Sequence, residues 1–213
     1  HILIPGKYIS VGENCITLEF TPCDGSLNRS DEFLYTLLVP DRASTVFPCF
    51  DQPDMKAVFA LTLDIPESWK AVTNGMDETC QPQTEGEKRM VFKATQPIST
   101  YLFAFAAGKF ETVSQTHHER TLTMFHRETD KEKLERNTDV LFQLHYGALQ
   151  WLKEYTGIPY PFGKLDFVLI PGFQYSGMEH PGAIFYNDSR LMLDKNPSVN
   201  ERLNQANLIA HEV

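Results

Sequence analysis

Apolar residues recur at every second position through the first half of the chain and at helical spacing through much of the second. That change of period limits the fold more than any other feature, because the two spacings build different layers. Ile16, Leu18 and Phe20 alternate with polar partners in CITLEF, as do Phe33, Tyr35, Leu37 and Val39 in EFLYTLLV. Phe59, Leu61, Leu63 and Ile65 share a face in AVFALTLDIP. RMVFKA and TYLFAFAAG continue the pattern, the latter with Tyr101, Phe103 and Phe105 on one face. Successive side chains of a strand point to opposite faces, so these runs predict antiparallel strands with one buried face. Asn74-Gly75 and Glu85-Gly86 supply turns between them. The aromatic residues are assigned to the core.

Around residue 110 the pattern changes. RTLTMFHR predicts one more strand. In KEKLERNTDVLFQLHYGALQWLKEYTG, Leu141, Leu144, Ala148, Trp151 and Tyr155 fall on one helical stripe, which Gly157 and Pro159 terminate. KLDFVLIP predicts a buried strand, and GAIFYND and RLML predict short strands or extended edges. A second helix begins near Ser198, where Ser198 and Glu201 have capping-box spacing, and runs through LNQANLIAHEV. The boundary is expected between Gly108 and Ser114, with an all-β part over 1–110 and an α+β part over 111–213. The second part is small for two helices to bury themselves, so we expect the chain to be cut at both ends.

Composition excludes several function classes. A net charge of -9 without a basic run argues against nucleic acid as a partner. No apolar stretch approaches the roughly 18 residues of a membrane span. Cys15, Cys23, Cys49 and Cys80 form no C-x-x-C pair, so no zinc knuckle or redox motif is indicated, while one or two disulfides stay open. Cys49, between aromatics, reads as a small core residue. Ser176 lacks the G-x-S-x-G context of a hydrolase elbow. Asp51 and Asp54 are assigned to a turn. His117-His118 is placed in a polar turn, His126 at a strand end and His145 on the flank of the first helix. None has a partner at a convincing metal-ligand spacing.

The last residues, LIAHEV, hold His211 and Glu212 at the end of the second helix. On a continuing helix, residues 211 and 215 would share a face, as two metal-gripping histidines do in H-E-x-x-H, with the intervening glutamate serving as base. The dipeptide alone carries little information. Upstream, PGFQYSGMEHPGAIFYNDSRL has glycines that permit tight turns and close ligand approach. Glu179 lies between two strands, where a carboxylate would suit a free α-amine, and the strand after it could take up an extended peptide by edge addition.

SGMEHPGAIFY resembles the G-x-M-E-N exopeptidase motif of the aminopeptidase N and leukotriene hydrolase family of zinc metallopeptidases (gluzincins). VFPCFDQPDMKAVFALTLDIP resembles the FPCFDEP signature of that family. STYLFAFAAGKF and YTGIPYPFGKLDFVLIPGF resemble its segments in the same order, so the likeness spans roughly residues 33 to 213. The resemblance implies the latter part of an antiparallel β-saddle domain over 1–110. Over 111–213 it implies the start of a thermolysin-like α+β catalytic domain, truncated inside the zinc motif. It implies zinc held by His211, with Glu212 as general base. It further implies Glu179 holding the free amine of a peptide substrate, with Gly177, Met178 and His180 lining the bound strand. Three departures stand out. His180 replaces the usual Asn with a bulkier side chain that can carry charge near neutral pH. Ser176 replaces the first Gly. Leu37 and Val39 replace polar residues that help bind the amine. The remaining ligands and a catalytic tyrosine would lie beyond Val213, so the chain as given is expected neither to hold zinc tightly nor to turn over peptide. A non-catalytic peptide-binding homologue on the same fold is the alternative.

Overall fold

The computed structural model describes residues 2–118 and 120–213. Seven strands occupy the first part: β1 (Leu27–Arg29), β2 (Phe33–Thr36), β3 (Thr62–Pro66), β4 (Lys70–Thr73), β5 (Asp77–Pro82), β6 (Glu87–Phe92) and β7 (Phe105–Gly108). They form two open antiparallel sheets, in the orders β1-β2-β7-β4 and β3-β6-β5. The next elements are β8 (Glu111–His117), β9 (Arg120–His126), α1 (Lys131–Thr156), β10 (Asp166–Ile170), β11 (Gly177–Met178), β12 (Ala183–Asn187), α2 (Asp188–Leu191) and α3 (Val199–Glu212). Their five strands form a mixed sheet in the order β11-β12-β10-β9-β8. The β9–β10 and β10–β12 pairs are parallel, and both outer strands are antiparallel to their neighbours.

Strand alternation sorts the core into layers. Phe125, Val168, Ile170, Ala183 and Phe185 point from one face of the five-stranded sheet onto Tyr35, Val72, Ala104 and Ala106 of the four-stranded sheet region. Leu122, Met124, Phe167, Leu169, Ile184 and Tyr186 point the other way, onto Leu141 and Phe142 of α1 and Ile209 of α3. Ala71 and Ala107 face Ile65, Met90 and Phe92 of the three-stranded sheet. Burying apolar area at about 25 cal/mol per Å² is what binds these layers.

Local signals fix the helix ends. The Asp130 side chain accepts from Lys133 N at 3.1 Å, and Gly157, left-handed at φ 71, closes α1. The capping box of α3 forms as expected: Ser198 Oγ accepts from Glu201 N (3.2 Å), and Glu201 Oε2 accepts from Ser198 N (2.7 Å).

Several expectations are corrected. Ile16, Leu18 and Phe20 form no strand and are 55%, 43% and 49% exposed, because alternation builds a strand only where another backbone answers it. TYLFAFAAG begins with a 3-10 turn, Thr100–Leu102, and only its second half pairs as β7. RLML contributes to helix α2, not to a strand. The buried stripe of α1 runs through Leu141, Phe142 and His145, while Trp151 and Tyr155 are exposed and stack on each other at 4.9 Å. His145 is therefore not on a flank but fully buried. All four cysteines are free, Cys15, Cys23 and Cys80 on the surface and Cys49 half-buried. Among the described residues, no helix is long and apolar enough to cross a membrane.

Candidate active site

The final turn of α3 brings His211 and Glu212 to the edge of the five-stranded sheet, where α3 packs on β11. His211 is exposed and Glu212 is buried. Gly177 makes the approach close. A methyl group on its Cα would overlap the Glu212 carboxylate, so the absence of a side chain leaves the space that the carboxylate fills. Burial pushes the Glu212 carboxyl up to about 7; the negative charge of Glu179 raises it further and His211 opposes the rise. Tyr186, the cross-strand partner of Gly177, has its phenol raised by burial and then by Glu212.

Glu179 follows β11 directly and is exposed, whereas Met178 is buried. The turn beyond it is tight. His180 N donates to Met178 O (2.9 Å), Ala183 N donates to His180 O (3.1 Å), and Gly182 is left-handed at φ 79. Burial holds His180 uncharged near neutral pH. Its ring is fully buried 4.7 Å from that of Phe185, neither nitrogen has a partner among the described residues, and burial drives its pKa down to about 3. It therefore presents no accessible atom to a bound strand. Ser176 is exposed. Leu37 is buried and Val39 half-buried in the same apolar cluster as Met178, so neither supplies a polar group.

The strand after Glu179, β12, lies inside the sheet between β10 and β11 and has no free edge. The edge belongs to β11, Gly177–Met178. Periodicity does not reveal this, because position in a sheet depends on non-local pairing.

The structure brings together Gly177, Glu179 and Glu212, with His211 beside them. Two further residues that the sequence did not single out act on the same region, Tyr186 and Asn74. Asn74 lies in a turn signalled by Asn-Gly, but nothing local indicates that its side chain reaches Pro181 O (2.9 Å). The other histidines stay apart. His126 is buried, His117 and His118 pack against each other at 4.3 Å, and His145 bonds Leu141 O (2.8 Å) and Tyr186 Oη (3.1 Å). Asp51 accepts from Ser44 N and Thr100 Oγ1, both at 2.9 Å, in keeping with a turn role. Burial, then Asp51, pushes the Cys49 thiol up to about 11, which disarms it as a nucleophile. A cavity of about 410 Å³ opens elsewhere, lined by Lys70, Asp77, Lys88, Lys164 and Asp166 among others. Its lining includes neither Glu179 nor Glu212, and Lys164 is already paired with Asp166 at 2.8 Å.

A metal would find His211 as an accessible imidazole donor next to a carboxyl base. Among the described residues, no three His, Cys, Asp or Glu side chains gather into a metal-binding group. The residues present thus fit one ligand and one base of a site, not a whole ligand set.

Residues 25–102 match the peptidase M1 N-terminal domain, and residues 141–213 match the peptidase family M1 domain. A puromycin-sensitive aminopeptidase of Caenorhabditis elegans is 32% identical over 190 residues, covering 87% of this chain and 20% of that protein. Aminopeptidase M1 of Arabidopsis thaliana is 31% identical, covering 84% of the chain and 20% of that protein. A glutamyl aminopeptidase of Sus scrofa is 29% identical, over 82% and 18% respectively. The chain therefore spans about a fifth of the length of these relatives. Two domain models of one family, met in order along one polypeptide, lead to a single conclusion: these 213 residues belong to peptidase family M1.

Proposed function

We propose that the full-length protein is a zinc-dependent aminopeptidase that removes N-terminal residues from peptides. The observation that carries this is the meeting of Glu212, Glu179 and the β11 edge at one place. A buried carboxyl with its pKa near 7 stands by an exposed carboxylate and a strand edge open to an extended peptide. In this reading 1–110 is part of a β-saddle domain and 111–213 opens a thermolysin-like domain. The separate five-stranded sheet, beginning at Glu111, supports that division.

His211 would hold the zinc ion together with donors from outside these residues. Zinc, when bound, would supply Lewis-acid polarisation of the scissile carbonyl and the attacking water. Glu212 takes the proton from that water and passes it to the departing amine. Glu179 attracts the substrate's ammonium, which fixes the cut one residue from the N-terminus. Gly177 and Met178 offer backbone groups to the substrate strand. The apolar Leu37 and Val39 leave Glu179 with less polar help in holding the amine.

The test is metal content of the full-length protein together with hydrolysis of aminoacyl-naphthylamides, with and without chelator. About one zinc per chain and chelator-sensitive release are expected. Glu179→Ala should lower kcat/KM on free-amine substrates by about 10- to 100-fold, the worth of one charge-assisted contact. Absence of both zinc and release would leave a peptide-binding homologue.

A further inference from the structure

The carboxylate of Glu179 is exposed, so its direction is set by the backbone that carries it. That backbone is pinned from two sides by residues distant in sequence. Asn74, in the turn after β4, is 8% exposed and fully engaged. Its Nδ2 donates to Leu102 O and Pro181 O, both at 2.9 Å, and its Oδ1 accepts from Ala104 N at 2.7 Å. One amide thus ties β4 and the approach to β7 to the turn just beyond Glu179. From the other side, Tyr160 Oη accepts from Gly182 N at 2.9 Å. The Tyr160 ring is held in turn, with Arg120 over its face at 5.2 Å and Phe162 edge-on at 5.4 Å.

The fit leaves no slack. Gly182 is left-handed, and any side chain there would run into the Asn74 carbonyl. Gly75, next to Asn74, is confined in the same way by the Lys93 carbonyl. The turn therefore has its Pro181 carbonyl and its Gly182 N–H fixed by separate elements, and its backbone meets Asn74 directly. Glu179 lies two residues before the first of these anchors.

We propose that Asn74 and Tyr160 are positioning residues for Glu179, holding the 179–182 turn so that the carboxylate faces the incoming amine. This rests on the reading of Glu179 given above. A bond that only stabilises the fold would act on every substrate alike. A bond that aims Glu179 matters only while Glu179 is there and only for a substrate with a free amine.

A double-mutant cycle on the full-length protein separates the two. Tyr160→Phe deletes a single oxygen and should raise KM for a free-amine naphthylamide about three- to tenfold, with kcat within about twofold. In a Glu179→Ala background the same substitution should leave KM unchanged. Asn74→Ala removes three hydrogen bonds and should have a larger effect of the same kind; where it unfolds the protein, Tyr160→Phe is sufficient. Equal effects of Tyr160→Phe in both backgrounds, or no effect in either while Glu179→Ala raises KM, would overturn the proposal and leave Glu179 in place. A Glu179→Ala variant with unaltered KM would remove the underlying role of Glu179, and this proposal with it.

Discussion

Two fully buried histidines, His145 and His180, lie on opposite faces of the five-stranded sheet, and they are treated in opposite ways. On the helix-covered face His145 stacks on Phe167 at 4.1 Å and uses both ring nitrogens, one toward Leu141 O and one toward Tyr186 Oη. Its polar neighbours are equally satisfied. Asn137 bonds Lys133 O and Leu193 O, and Gln205 bonds Leu191 O. On the other face His180 packs against Phe185 with both nitrogens unanswered. A buried polar atom without a partner costs about 1–3 kcal/mol, so the ring of His145 is fully accommodated where it lies and that of His180 carries a local penalty. The penalty lies one residue from Glu179. Departures from local satisfaction tend to gather at sites that do something other than fold.

Acid should expose the comparison most strongly. Both histidines have pKa values below the ordinary 6.5. His145 falls to about 4, with burial lowering it and the Leu141 hydrogen bond pulling it partly back, and His180 falls to about 3 with burial unopposed. Below about 6.5 the unfolded chain takes up protons that the folded chain refuses. The contribution of the two rings is therefore undiminished above that pH and declines as pH falls, until the folded pKa values are reached, while Glu212, raised to about 7, contributes in the opposite sense between about pH 7 and 4.5. The share of the two rings between pH 6.5 and 4 should amount to several kcal/mol, read as the difference in denaturant unfolding between the protein and its histidine variants at a series of pH values. A pH dependence that His180→Leu leaves unchanged would mean that the His180 ring is not buried as described.

His145→Ala should come next in size. It leaves a ring-sized void and strands the Tyr186 hydroxyl among apolar residues. The expected loss is about 3–5 kcal/mol at neutral pH, measured as a fall in the denaturant midpoint. A loss below about 1 kcal/mol would show that the helix-covered face repacks freely.

How much of this is legible in the sequence depends on the range of the interaction. The capping box at Ser198 and Glu201 and the stop at Gly157 are local, and each forms where the residues place it. The strand runs around Leu34, Ile65 and Val91 are legible for the same reason. Ile16, Leu18 and Phe20 show the limit: the same alternation, with no partner strand among the described residues, gives an exposed segment without regular structure. In α1 the large aromatics Trp151 and Tyr155 outweighed His145 in the sequence pattern, yet the shape of Phe167 and the Tyr186 hydroxyl selected the histidine. At the candidate site, the residue types of Glu179, His211 and Glu212 were legible. Their meeting over Gly177, the edge position of β11 and the burial of His180 were not, because all three depend on contacts between residues far apart in sequence.

The smallest effect has the opposite sign, and it bears most directly on the contrast between the two faces. His180→Leu keeps an apolar side chain of similar bulk against Phe185 while deleting two nitrogens that nothing answers. Removing unpaired buried polar atoms recovers their desolvation cost, so stability at neutral pH should be unchanged or higher by about 1 kcal/mol. The variant should also lose the part of the acid dependence that His180 contributes, so its stability should fall less than that of the unmodified protein between pH 6.5 and 4. Leucine at a position like 145 could do neither, because there the hydroxyl of Tyr186 would be left behind. A clear destabilisation by His180→Leu would instead mean that the imidazole nitrogens are answered in solution by a buried water, and the two faces would then follow one rule.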